Sequence, residues 1–318
     1  MNETTKTMFK GAAMGVAEVI PGVSGGTLAF ITGIYERLLA AISSINLELI
    51  SLFKSEGFSA VWKRIDGTFL VKLLGGMGIG FILGLKLVVR LLETHPVHIW
   101  SFFFGLILAS IPLIGKQVKK WGVIEIVLLV VGAALVYWVT MAAPSQGSEH
   151  LAIVFLSGVI GVSALMLPGL SGSFVLLLMG MYTIIMPAIE EFTHHPFGPE
   201  TYVILAFGGG MVIGLLTFAK VLSFTFKKYP KPTMSLLTGF LIGSLNKVWP
   251  WQKVLETRMN SKGLEVVKFS NSVSPRTFES LESNFLYGTD AHLVAAIAIM
   301  IIAALIVFLL DRFGAEEK

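Results

Sequence analysis

Two short segments hold the residues best suited to chemistry. Ile20-Pro-Gly-Val-Ser-Gly-Gly26 and Leu167-Pro-Gly-Leu-Ser-Gly-Ser173 each place glycines and hydroxyls just before a stretch able to restart a helix. In the first these are Ser24, Gly25, Gly26 and Thr27; in the second, Ser171, Gly172 and Ser173. A helix N-terminus has unpaired N–H groups and about half a positive charge. Glycine lets an anion approach the backbone and hydroxyls add donors, so each segment suits a phosphate or carboxylate. The same residues also turn a chain and cap a helix, and it is their occurrence as a matched pair that favours a site. Glu18 lies within a turn of the first break and has no acidic counterpart, because Leu165 stands at the matching place. It is a candidate carrier of a coupling proton, and equally an acceptor for N–H groups at the turn. Arg37 offers a bidentate fork to an anion, against snorkelling or pairing with Glu36. Lys86 and Lys220 can draw a lipid phosphate to either entrance or simply anchor at the interface.

These residues sit in an apolar chain. Of 318 residues 54% are apolar and 14% charged, and the mean hydropathy is +0.79. A soluble domain is about 25% charged, so a polytopic membrane protein is expected. The net charge of +4 then concerns orientation in the membrane rather than nucleic acid. With no cysteine, disulfides, iron–sulfur clusters and thiolate zinc sites are excluded. The six histidines show no ligand spacing, and His194-His195 reads as a solvated loop rather than a metal or pH-sensing site. No metal or cofactor is expected. The first apolar stretch, from Phe9, lacks a cleavage site, so targeting is expected to come from the spans.

Six stretches have the length of a helical span, about 20 residues: 69–92, 97–115, 122–142, 201–226, 233–251 and 291–310. Two others, 9–42 and 151–189, are broken by the two motifs. The pieces 9–20 and 27–42 would reach only ~18 and ~24 Å as helices. Neither crosses alone, and together they are too long for one span, so each stretch reads as a re-entrant hairpin. Loop charges agree. With a cytoplasmic N-terminus, the lysines around Lys119 and Lys228 fall on one side, while outer loops 143–150 and 190–200 hold no Lys or Arg. The polar outer loop 252–290 is basic but long, and long loops are largely exempt. Lys72, Glu125 and Lys247 are placed near span ends, reaching water.

The chain also repeats. A shift of 147 lays Pro21-Gly-Val-Ser-Gly25 on Pro168-Gly-Leu-Ser-Gly172, Gly33 on Gly180 and Tyr35 on Tyr182. A shift of 134 lays Gly76 on Gly210, Gly80 on Gly214, Lys86 on Lys220, Gly105 on Gly239 and Ser110 on Ser244. The longer linker 43–68 reads as an amphipathic interfacial helix. Three spans separate the hairpins, so the halves, 1–142 and 151–318, are expected to be inverted, as in secondary transporters. The expectation is an all-α membrane protein of six transmembrane helices and two re-entrant hairpins in an inverted repeat. The glycines at four-residue spacing serve helix packing.

Gly15-Val-Ala-Glu-Val-Ile-Pro-Gly-Val-Ser-Gly-Gly-Thr27, Gly33-Ile-Tyr-Glu-Arg37, Leu167-Pro-Gly-Leu-Ser-Gly-Ser173 and Gly180-Met-Tyr182 resemble the motifs of a bacterial family formerly known as a domain of unknown function. That family is now assigned to polyprenyl-phosphate transport, and the resemblance covers essentially the whole chain. It implies a flippase that returns undecaprenyl phosphate across the bacterial cytoplasmic membrane for envelope synthesis; the loop charges put both termini on the cytoplasmic side, and proton or sodium coupling is a further expectation. The alternative enzyme is an undecaprenyl-pyrophosphate phosphatase, whose family uses a Pro-Gly-x-Ser-Arg-Ser motif. Here Gly25 and Gly172 occupy the arginine place, removing the group that would stabilise a phosphoryl transition state. An ion-coupled carrier of a soluble anion is the third class.

Overall fold

The computed structural model describes residues 2–20, 23–195, 198–259 and 265–315; Pro21, Gly22 and the side chains of Lys86 and His194 lie outside what is described. The chain is mostly helical. α1 (Glu3–Glu18), capped by the Asn2 side chain, lies along α5 (Gly67–Thr94). A Cβ at Gly76 or Gly80 would fall on the Met8 or Ala12 carbonyl, so the glycine stripe is where the two backbones touch. α8 (Leu151–Met166) and α11 (Glu200–Lys228) meet in the same way, Gly210 against Phe155 and Gly158 against Phe207.

The remaining long helices pair reciprocally. α6 (Pro96–Gly115) packs on α14 (Leu293–Ala315), with Gly105 against Met300. α7 (Val123–Met141) packs on α12 (Pro230–Ser244), with Gly239 against Leu129 and Gly132 against Leu236. By length and composition α5, α6, α7 and α11 are able to cross a bilayer. They coincide with four of the expected spans. The expected span 233–251 is helical only to Ser244, while α14 begins two residues inside the expected span 291–310, with its apolar run at Leu293–Leu309.

The returning arms differ from expectation. Instead of one helix over 27–42 there are two, α2 (Gly25–Ile31) and α3 (Tyr35–Ser43), parted at Gly33 with φ +72°. The other arm likewise splits into α9 (Gly172–Leu178) and α10 (Tyr182–His194) at Gly180 with φ +68°. A residue in the left-handed region ends a helix, and glycine enters that region without a Cβ penalty. α9 and α10 meet at 114°, and α3 meets α4 (Glu48–Arg64) at 94°; counting each bent pair as one span raises the candidates from four to six. α4 buries no residue and exposes Ile50, Phe53 and Phe58 beside Lys54, Lys63 and Arg64, which suits the bilayer interface.

The all-α expectation is corrected within 252–290. β1 (Gln252–Met259) and β2 (Glu265–Ser272) form an antiparallel hairpin, followed by α13 (Pro275–Glu279). Phe278 of the segment joins Val97 of α6, Trp251, Ala291, and Ala296 of α14, in a separate small core. Trp249 and Trp251 donate their indole N–H groups to Val273 O and Ala291 O, each at 2.8 Å. Asn284 clips the hairpin by donating to Gln252 O and accepting from Val254 N.

Candidate functional site

The two motifs meet inside the protein. At the first, the Ser24 hydroxyl caps α2 by accepting from Thr27 N at 3.2 Å, and Glu18 Oε1 accepts from Gly25 N at 2.6 Å. At the second, the Ser171 hydroxyl caps α9 through Phe174 N at 3.5 Å and lies 2.9 Å from the Ser173 hydroxyl. Between them, Gly169 N donates to Thr27 Oγ1 at 3.0 Å and the Tyr35 hydroxyl to Met166 O at 2.7 Å. Gly26 lies so near the second break that a Cβ there would sit 2.7 Å from Leu165 O. The positive φ of Gly169 (+86°) turns the second break against α12, beside Phe240 and Ser244.

Of the residues singled out by sequence, Ser24, Gly25, Gly26, Thr27, Ser171 and Gly172 gather at this junction. Ser24, Thr27 and Ser171 are buried, and Ser173 is exposed. Glu18 takes the acceptor role at the turn. The first-turn N–H groups of Gly172 and Ser173 precede the intrahelical ladder of α9 and meet no acceptor elsewhere among the described residues.

Other candidates lie elsewhere. Arg37 forms a two-pronged pair with Asp66, Nε–Oδ2 2.6 Å and Nη2–Oδ1 3.3 Å, with Glu3 at 3.1 Å and the Phe69 ring 4.3 Å below. Its partner is therefore Asp66 with Glu3, and its fork is already filled. Lys220 is exposed on α11, and the side chain of Lys86 is not described. His195 lies 3.7 Å from Glu191. No group of three His, Cys, Asp or Glu among the described residues is placed to hold a metal ion.

Sequence reasoning missed three features. Lys247, placed near a span end by its sequence, is half-buried and holds its amine 4.5 Å from the centre of the Phe174 ring beside the second tip. A hint was present: it is a lone cation in the 233–251 stretch, and the shift of 134 puts Leu113 at the matching place. Arg258 on β1 reaches the Tyr182 ring at the start of α10, 4.5 Å from its centre. His95, His98 and His292 gather around a cavity of about 350 Å³ near Asp290, ring centres 5.5 and 5.1 Å apart. These partners are distant in sequence, so no local spacing announced them.

Comparison with known proteins adds a second line. Residues 14–266 match the undecaprenyl phosphate translocase-like family. A polyprenyl-phosphate transporter of Vibrio cholerae is 40% identical over 308 residues, covering 97% of this chain and 96% of that one. A polyprenyl-phosphate transporter of Staphylococcus aureus is 31% identical over 258 residues, covering 76% and 85%. No solved structure matches the chain.

Proposed function

Because the chain belongs to the undecaprenyl phosphate translocase-like family, we propose that it carries undecaprenyl phosphate across the bacterial cytoplasmic membrane, the headgroup passing the junction of the two tips. The lipid tail stays in hydrocarbon throughout, so the protein needs to shelter only the phosphate. A polar junction deep among the helices meets that need.

The site reading rests on one observation: the two tips touch, through Thr27 to Gly169 and Tyr35 to Met166. Matched breaks at Gly33 and Gly180 and the reciprocal packing of α6 on α14 and α12 on α7 support two halves, 1–142 and 151–318, in inverted orientation. On this reading each motif turns a re-entrant hairpin, six helices span the bilayer, and both termini are cytoplasmic. Rocking of the halves then exposes the junction to one face and afterwards the other. The second tip offers the phosphate the N–H groups of Gly172 and Ser173 and the exposed Ser173 hydroxyl. At the first tip Glu18 occupies the Gly25 N–H, and its release on protonation is where a proton gradient would couple. Lys220 is placed to draw lipid phosphate toward α11. Ser24, the nucleophile a phosphatase would need, is buried and spent on capping Thr27, which favours transport over hydrolysis.

The test uses purified protein in liposomes with a fluorescent short-chain polyprenyl phosphate and a membrane-impermeant quencher. A parallel arm measures phosphate released from the matching pyrophosphate lipid. The expected result is protein-dependent exchange between leaflets without phosphate release. Release without exchange would reassign the chain to hydrolysis, and competition by soluble anions alone would reassign it to a solute carrier.

A further inference from the structure

A cation inside a membrane protein is ordinarily met by a carboxylate or by several acceptors. Arg37 follows that pattern with Asp66 and Glu3. Two others do not, and both reach the returning arm of the second hairpin. Lys247 holds its amine over Phe174, two residues past Gly172, and no carboxylate or hydrogen-bond acceptor among the described residues meets it. Arg258 lays its guanidinium over Tyr182, and its buried Nε has no hydrogen-bond partner. The intervening seven-residue α9 amounts to about 10 Å of helix.

An aromatic face attracts a cation but accepts no conventional hydrogen bond. Both groups therefore keep N–H donors that the protein leaves unspent, and the Nε of Arg258 is fully buried, where donors are normally paired. A ligand that completes them must be anionic and rich in oxygen acceptors. A phosphate monoester is both, and it carries enough oxygens to meet Lys247 and the free N–H groups of Gly172 and Ser173 together. Position narrows the matter further. Ser244, one turn before Lys247, lies beside Gly169 of the second break, so the lysine belongs to the same junction as the tips. Arg258 arrives from the β-hairpin at the far end of α9, where Gly180 packs on Gly147 of the loop before α8.

We infer that Arg258 and Lys247 form a two-step anion path along α9, taking a phosphate headgroup at the β-hairpin and delivering it to the second tip. Phe174 and Tyr182 are the resting places of the two cations, each given up when phosphate oxygens arrive. The first half has no such path. Leu113 stands where Lys247 would be, 252–290 has no counterpart in the first repeat, and the carboxylate of Glu18 at the first tip repels an anion. Phosphate capture is therefore one-sided, from the face that carries the β-hairpin. This inference rests on the transport reading above.

The test measures binding of farnesyl phosphate and of farnesol to the full chain in nanodiscs. Wild-type protein is expected to favour the phosphate. Lys247→Gln should weaken farnesyl phosphate by about tenfold or more and leave farnesol unchanged, while Lys247→Arg stays within about threefold of wild type. Arg258→Gln should cost about threefold, mostly as slower association. Lys247→Met, which keeps the stem, replaces the glutamine variant if that protein does not fold. Unchanged phosphate affinity in the neutral variants, with wild-type preference for phosphate intact, would overturn the path and leave transport standing. Wild-type protein with no preference for phosphate, and no leaflet exchange in liposomes, would overturn the transport reading itself. Lys247-dependent binding of inorganic phosphate as tight as that of farnesyl phosphate would overturn the lipid headgroup as the ligand.

Discussion

At the first tip the restarting helix has its Gly25 N–H bonded to Glu18; at the second, Leu165 takes the place of the acid and Gly172 packs against the Gly161 carbonyl. The two segments share a proline, a glycine and a capping serine in sequence. They differ in what surrounds the turn. The first supplies its own anion, and the second is left with Ser173 exposed and the half-buried Lys247 nearby. The two segments thus carry the same capping serine while their electrostatics diverge, and on the proposed path substrate charge would be drawn to the second only.

Glycine substitutions test that contrast most severely. A Cβ at Gly172 would lie 2.6 Å from the backbone oxygen of Gly161, which cannot swing aside; at Gly25 the obstacle at 2.6 Å is the Glu18 side chain, which can. Gly172→Val should abolish leaflet exchange, by about 100-fold or more, and lower the thermal midpoint. Gly25→Ala should cost about tenfold, with much of the loss recovered when Glu18 is also shortened to Asp, which keeps the carboxylate. Equal losses at the two glycines, or no recovery, would erase the distinction.

Giving the first tip the residue of the second is the next step. Glu18→Leu leaves the Gly25 N–H without its acceptor, a cost of about 1–3 kcal/mol, measurable as a lower denaturation midpoint in detergent. Glu18→Gln keeps an acceptor, so stability should stay within about 1 kcal/mol, while exchange loses its response to an imposed pH gradient. A gradient response that survives in Glu18→Gln would remove the acid from the coupling scheme.

Smaller effects separate the paired tyrosines. Tyr35→Phe deletes the bond to Met166 O and should cost about 1 kcal/mol. Tyr182→Phe keeps the ring beneath Arg258 and should change stability by less than about 0.5 kcal/mol. The smallest expected difference is between the capping serines. Ser24→Ala removes a 3.2 Å bond and Ser171→Ala a 3.5 Å one, so the first should cost about 1 kcal/mol and the second a few tenths less. Matched thermal unfolding of the two variants reads it.

Much of this arrangement was legible beforehand, for physical reasons. Apolar length announces α5, α6, α7 and α11, and Pro-Gly interruptions announce both breaks, because neither residue continues a helix easily. Gly33 and Gly180 were aligned with one another yet passed as helix-compatible, since glycine in an apolar run also serves close packing. Their φ values depend on the tertiary turn. The β-hairpin escaped because its strands alternate weakly and draw order from Trp249, Trp251 and Asn284, outside the strands. The sequence offers Arg37 an anion, snorkelling or its neighbour Glu36, whereas its partner Asp66 lies 29 residues on. Nothing adjacent to Lys247 in sequence speaks of Phe174.

The reciprocal packing of α6 on α14 and α7 on α12 carries a consequence for biosynthesis. α6 leaves the ribosome roughly 180 residues before its partner, an interval of about 10–40 s at ordinary elongation rates. Throughout that time the notch at Gly105, cut to receive Met300, faces lipid or a chaperone. A chain stopped after residue 142 would hold helices without their mates. Packing of α6 is therefore complete only once α14 is made, and residues 1–142 and 151–318, expressed as separate polypeptides, should assemble with each other rather than fold apart.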